Sequence, residues 1–407
     1  MAPRPRVPFT LSPALRLVQN VELTEGYEVA LSPDGAVAGV VRGDWNQRRV
    51  ELHDLVTGAV EEVLPATHGQ NVESLVWSRD GRRWAVSELR FEGQARRGVI
   101  RVGERGRDEL LCTAETSAYC GILRNALVHG APMLAFSPEG DRVVLRTTAS
   151  DERNALMHVS VSEGAVREQW LDPSEGDLYA HAFGDDGTLY TASADPGDHA
   201  GLAWYPPGAG APSGRLAWVF GFAILPAKRG IWVAGSPRYC FRVAPGEATE
   251  LARATPPRGE RAEALRARAS AKWDQQYLDD ALNRLAAGWE SFNYCPARGS
   301  FRAGSAPPPT AGMRCLENDL LWETSFAARM GDDDLVVSDG VGVWRWRDDG
   351  AALTRDLLLD DTARCTHRGA RIVGLSAAGD TLAILWKKDA RGQKTVLSRF
   401  EIDRAAR

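Results

Sequence analysis

Lysine is almost missing from this chain. Only Lys228, Lys272, Lys387, Lys388 and Lys394 occur, and arginine supplies the rest of the 49 basic residues. We read this as the coding bias of a GC-rich, bacterial genome. Against 54 acidic residues the net charge is -5, which excludes a generally basic, phosphate-binding surface. Cysteine is sparse too, at positions 112, 120, 240, 295, 315 and 365, and no C-x-x-C pair occurs. The expectation is free thiols; Cys112 with Cys120, or Cys295 with Cys315, would bridge only in an exported protein. No run approaches 18 apolar residues, so no transmembrane helix is expected. The segment MAPRPRVPFTLSPALRLVQN has arginines but not the apolar core of a signal peptide, which predicts a cytoplasmic protein.

The motifs of catalysis are also lacking. There is no G-x-x-x-x-G-K-[ST] phosphate loop, no H-E-x-x-H and no G-x-S-x-G. GAGAPSG at 208–214 misses the dinucleotide fingerprint by one residue and lies at a strand-to-strand turn. No cofactor is expected. Cys365-Thr366-His367, even with Cys295 and Cys315, matches no zinc-ligand spacing, so no metal site is expected. Asp195, Asp198 and His199 pair carboxylates with an imidazole, the groups of acid–base chemistry, but D-P-G-D-H reads as a polar turn without a nucleophile. Asp332-Asp333-Asp334 reads as a solvated turn. The chain is expected not to be an enzyme.

What is present is a repeat of about 45 residues, in the range of a propeller blade. An apolar run leads into a turn: SPDG at 32–35, SRDG at 78–81, SPEG at 137–140, GDDG at 184–187, then weaker versions at 225–230, 331–334 and 376–379. Asp favours such turns and Gly supplies the positive φ at their corner. A second and a third short run follow, as in AVAGVVRG then RVELHDL, rich in β-branched and aromatic residues. A more polar fourth run, such as AVEEVLP or ATELARA, completes most units. Four strands make one antiparallel blade. The sequence therefore predicts an all-β fold: one domain over 1–407, a seven-bladed β-propeller of four-stranded antiparallel blades. The seventh unit offers three strands, and LRLVQNVEL at 15–23 is a spare one, so the N-terminal strand is expected to close the last blade.

A partly helical insertion is expected at 255–324, between blades five and six. Leu265, Ala269, Trp273, Tyr277, Ala281, Leu285 and Trp289 recur every four residues and predict an apolar helical stripe over 258–292. ARGSFRAGSAPPPTAGM after it predicts irregular chain. A second long connection, about 112–130, joins blades two and three.

Residues 31–84 resemble two consecutive WD-type repeats. His68, Val72, Ser78 and the turn Asp80-Gly81 hold the places of that family's His, Val, Ser and Asp-Gly, and in VELHDLVTG His53 stands in the Trp place with Asp54 kept. Other units lack the pattern. The resemblance implies a propeller serving as a rigid platform for other proteins, with His68 hydrogen-bonding between blades. SPDG turns also fit periplasmic TolB-like propellers; the missing signal peptide favours the cytoplasmic family. The expected function is a non-enzymatic protein-interaction scaffold, using the face that carries the long connections. Its candidate partner-binding residues are Trp273, Tyr277, Leu285, Trp289, Arg261, Arg266, Arg268, Asp198 and His199. The alternative is an enzyme or small-ligand binder with polar groups at the mouth of the central channel. Arg258, Arg261, Arg266, Arg268 and Lys272 form a basic stretch, but no aromatic alternation supports base stacking, and nucleic acid is not an expected partner.

Overall fold

The computed structural model describes residues 7–44, 47–92, 95–116, 133–148, 154–171, 178–193, 201–217, 223–227, 230–234, 240–243, 292–295, 300–303, 326–331, 334–338, 342–348, 353–360, 371–387 and 394–403. Among these, every regular element is a β-strand. The first unit is Gly26–Leu31, Val37–Arg42, Arg49–Asp54 and Val60–Leu64, paired in that order. The second runs Gln70–Trp77, Arg83–Glu92, Ala95–Glu104 and Cys112–Thr116, and the third Leu134–Phe136, Arg142–Thr148, Asn154–Ser160 and Val166–Trp170. The fourth runs Leu178–Phe183, Leu189–Ser193, Gly201–Tyr205 and Gly214–Ala217. A three-stranded fifth unit, Ala223–Ala227, Gly230–Ala234 and Cys240–Val243, comes next. The sixth has Phe326–Arg329, Asp334–Ser338, Gly342–Asp348 and Leu353–Asp360. The last has Arg371–Ala378, Thr381–Lys387 and Lys394–Ile402. Each unit's first strand lies against the first strand of the next, and Arg371–Ala378 returns to Gly26–Leu31, so the inner strands form a closed ring.

The turn chemistry sets each unit's first corner. Ser32 Oγ accepts the Val37 N–H at 3.0 Å, and Asp34 Oδ1 accepts that of Ala36 at 3.0 Å. Ser78 and Asp80 repeat this with Arg83 at 2.9 Å and Arg82 at 3.0 Å, and Ser137 with Arg142 at 3.1 Å. In GDDG the Ser is absent, and Asp186 alone takes the Thr188 N–H at 3.0 Å. Gly35, Gly81, Gly140 and Gly187 close these corners at φ 68°, 69°, 70° and 78°.

The core is divided among the interfaces between sheets, because each sheet is apolar on both faces. Val41, Val50, Leu75 and Val86 fill one such layer between the first and second units, and Val336, Leu359, Leu382 and Phe400 fill another between the sixth and last. Trp84 packs its ring over Gly103, its cross-strand partner, where a methyl group would meet the ring carbons. Gly103→Ala is expected to destabilise the protein by about 1–3 kcal/mol by overpacking, whereas Gly210→Ala, with open space around it, should change stability by less than about 0.5 kcal/mol. Urea denaturation of the two variants checks this.

The N-terminal strand pairs as expected. Leu15–Thr24 is the outer strand of the last unit, antiparallel to Lys394–Ile402. The sequence did not suggest that Thr10–Leu11 also extends the sixth sheet, opposite Leu359 and Asp360, making it five-stranded.

Four expectations are corrected. Seven four-stranded blades were expected; among the described residues six sheets have four or more strands, and the fifth unit has three. ATELARA, assigned as its outer strand, lies outside the described residues. Of the helix expected over 258–292 only Phe292 is described, and it begins a strand, Phe292–Cys295; its partner Ser300–Ala303 lies in ARGSFRAGSAPPPTAGM, where irregular chain was expected. Cys112–Thr116 opens no connection; buried Cys112 and Ala114 alternate with exposed Thr113 and Glu115, the period of a one-sided strand. Among the described residues His68 makes no bond between blades: it is exposed at a turn closed by Gln70 N–H on Thr67 O at 3.1 Å.

Candidate functional site: an acidic channel mouth

The inner strands enclose a central cavity of about 810 Å³. We call the face at their N-terminal ends the upper face. There the inner strands of the first, second, fourth and last units each slip register by one residue, at Tyr27, Glu73, Tyr179 and Val373. A β-bulge turns its residue out of the regular alternation. Tyr27, Glu73 and Val373 line the cavity, as does Glu28, next to the first bulge.

Arg48 organises this mouth. It comes from the connection between the second and third strands of the first unit and reaches the second unit, donating from Nη1 to Val72 O at 2.9 Å. The same nitrogen is 3.8 Å from Glu73 Oε1, and its guanidinium carbon is 3.3 Å from the centre of the Tyr27 ring. Asn71 Nδ2 also donates to Glu73. Glu28 Oε1 accepts the Leu75 N–H at 3.2 Å. The ring encloses Glu28, and what remains open of its side chain faces the cavity.

This enclosure shifts the carboxyls. Burial pushes Glu28 up to about 8, with Glu73 adding to the rise and the Leu75 N–H and Arg48 opposing it. Burial pushes Glu73 up to about 7 against the pull of Arg48. Burial also raises the Tyr27 hydroxyl. Such groups take protons near neutral pH, and any cation brought close to them favours their ionised form.

Below, on the fourth inner strand, His181 sits in the cavity wall at 2% exposure. Its Nε2 is 3.0 Å from Val144 O, and burial, with Arg146 nearby, pushes it down to about 3. At the lower face Arg79, in the second unit's turn, makes two bonds to Asp185 of the fourth, at 2.8 and 3.3 Å, passing the third unit's turn.

All nine partner-binding candidates, Arg261, Arg266, Arg268, Trp273, Tyr277, Leu285, Trp289, Asp198 and His199, lie outside the described residues, as do Asp195, Cys315, Cys365 and His367. Of the acidic run only Asp334 is described; it is held by Arg345 at 2.5 Å rather than left in a solvated turn. Among the described residues no group of three or more His, Cys, Asp or Glu side chains is placed to hold a metal. The mouth itself, with Tyr27, Glu28, Arg48, Glu73 and His181, was missed by sequence reasoning. The available signal was a carboxylate inside an apolar inner run, GYEVAL and NVESLVW.

No protein-family profile matches the chain, and no curated protein matches it in sequence. Solved structures do resemble it. A chain of the Mitotic Checkpoint Complex is 12% identical with a TM-score of 0.53, over 99% of both chains. The β-propeller domain of Cps50 (Swd1) from Myceliophteria thermophila is 10% identical with a TM-score of 0.54, over 96% of this chain and 100% of that one. The chain is a β-propeller. At such identities the likeness carries the propeller's fold and nothing finer.

Proposed function

We propose that this propeller is a non-enzymatic interaction platform that holds a protein partner on its upper face. The observation that carries this is the channel mouth on that face, where Tyr27, Glu28, Glu73 and Arg48 gather. Segments 117–132 and 304–325 lead into the N-terminal ends of inner strands, so the long connections join the ring on the same side. Long connections in compact domains commonly serve binding. Counting the three-stranded sheet as a blade gives a seven-bladed ring, in keeping with the WD-type resemblance around Val72, Ser78 and Asp80. One similar solved chain belongs to the Mitotic Checkpoint Complex, a protein assembly. The cytoplasm is the proposed compartment. The cavity of about 810 Å³ favours a second reading, a small ligand held in the channel.

The test compares three variants as bait in the source cell: residues 258–310 replaced by a Gly/Ser linker, Glu28→Gln with Glu73→Gln, and Glu139→Arg in the lower-face turn. A specific partner should be lost from at least one of the first two and kept by the third. A partner lost only with Glu139→Arg, or a turnover abolished by the carboxamide changes, overturns the proposal.

A further inference from the structure

The channel owes its width to alanine. Ser32, Ser137, Gly184 and Met330 each donate a backbone N–H across the turn that ends an inner strand. Two residues before them stand Ala30, Ala135, Ala182 and Ala328, and all four line the cavity. Larger side chains at these places would narrow it. Trp77, Phe136, Leu225, Phe326 and Val373, from five different units, line the same space and are half-buried. The Trp77 ring is fixed there by its Nε1–H, donated to Ala30 O at 3.0 Å. The charged groups of the wall are engaged. At the lower mouth Arg79 holds Asp185, and Arg329 Nε donates to Gly331 O at 3.1 Å. At the upper mouth Glu28 and Glu73 are served by the Leu75 N–H, Asn71 and Arg48, and with values of about 8 and 7 they keep protons toward neutral pH. Lys387 acts through its charge on Glu25.

We infer that the channel binds an uncharged, largely apolar small molecule, seated between the two mouths against Trp77, Phe136 and Leu225. This rests on the second reading given above, a small ligand held in the channel. A cavity of about 810 Å³ lies in the range of about 300–1,000 Å³ that holds drug-sized ligands behind apolar walls. A charged ligand would leave water for a wall whose ionic groups already have partners, and an unpaired buried charge is costly. An apolar ligand loses nothing on entry and covers the half-buried rings. Among the described residues no group of three or more metal-ligating side chains favours a metal instead.

Fluorescence titration of the full chain with two dyes of one skeleton tests this: phenylnaphthylamine, which is uncharged, and anilinonaphthalene sulfonate, which is anionic. The uncharged dye should bind about tenfold more tightly than the anionic one. Ala135→Trp, which fills the channel, should weaken it about tenfold, and Ala30→Leu gives the same readout should that variant fail to fold. Val60→Ser, at an exposed apolar residue on the outside of the first unit, should leave the affinity unchanged. Affinity unmoved by both channel-filling changes, or lowered by Val60→Ser, overturns the inference. Preference for the anionic dye, lost with Ala135→Trp, keeps a small ligand in the channel and removes only its uncharged character. Neither dye binding removes this inference and the channel-ligand reading together, and leaves the platform reading standing.

Discussion

Removing residues 1–24 is expected to unfold or aggregate the protein at temperatures where the full chain is stable. The segment closes one sheet and extends another. Leu15–Thr24 supplies the outer edge of the last unit, and Thr10–Leu11 that of the sixth. Phe9, Leu15 and Leu23 are buried, and the Phe9 ring stands edge-on to Trp386 at 5.5 Å. Burial of three such side chains contributes roughly 5–8 kcal/mol, before any of the ladder hydrogen bonds is counted. Whole domains are stable by only about 5–15 kcal/mol, so the loss is comparable to the total. It would also bare the edge of Lys394–Ile402, a template for pairing with other chains. Thermal unfolding and light scattering of the truncated protein check this. A melting curve superimposable on that of the full chain would refute the closure.

The second large effect is one of pH. Glu28 and Glu73 have folded values of about 8 and 7, above the ordinary 4.5. The folded state therefore holds protons that the unfolded state has released, and stability falls as pH rises from about 4.5 through about 8. His181 acts in the other direction. Its folded value of about 3 lies below 6.5, so its contribution is lost as pH falls below about 6.5. Burial lowers His53 and His158 in the same sense. Between about pH 4.5 and 6.5 the two trends oppose each other; above about 6.5 the histidine contributions are complete and the decline belongs to the carboxyls. Glu28→Gln should remove much of that decline, raising stability at about pH 9 by on the order of 3 kcal/mol. A full chain whose melting temperature is flat from about pH 6.5 to 9, or a Glu28→Gln protein no more stable than wild type at the upper end, would contradict the assignment.

The fold was largely legible because its signals are local. An Asp and a Gly at fixed spacing dictate a corner whichever blade they stand in, and alternation over five residues declares a strand. The spare strand at 15–23 was legible because an unpaired edge needs a partner. The fifth unit's expected outer strand, ATELARA, lies outside the described residues, and its polar run is the weakest of the strand signals because it suits an outer strand or a loop equally well. His68 was misassigned because a family pattern is a set of places, and the hydrogen bond that gives a place meaning depends on the neighbouring blade. The channel mouth was not legible because it is assembled from side chains distant in sequence: Glu28 on one unit, Glu73 on the next, Arg48 bridging them, and His181 on a third. Only the curvature of the ring brings them to one cavity, and only a register slip such as that at Glu73 turns a residue out of line.

The pairing of Leu15–Thr24 with Lys394–Ile402 also fixes an order of events during synthesis. The first of these strands leaves the ribosome hundreds of residues ahead of its partner, a wait of roughly 20–80 s at ordinary elongation rates. For that interval Phe9, Leu15 and Leu23 have no surface to cover them, while the units between can form from contacts near in sequence. Closure is then a late step, after all the intervening units have been made. Until then the growing chain is an open arc with a sticky early strand, and it is the kind of client that holding chaperones near the exit tunnel would be expected to meet.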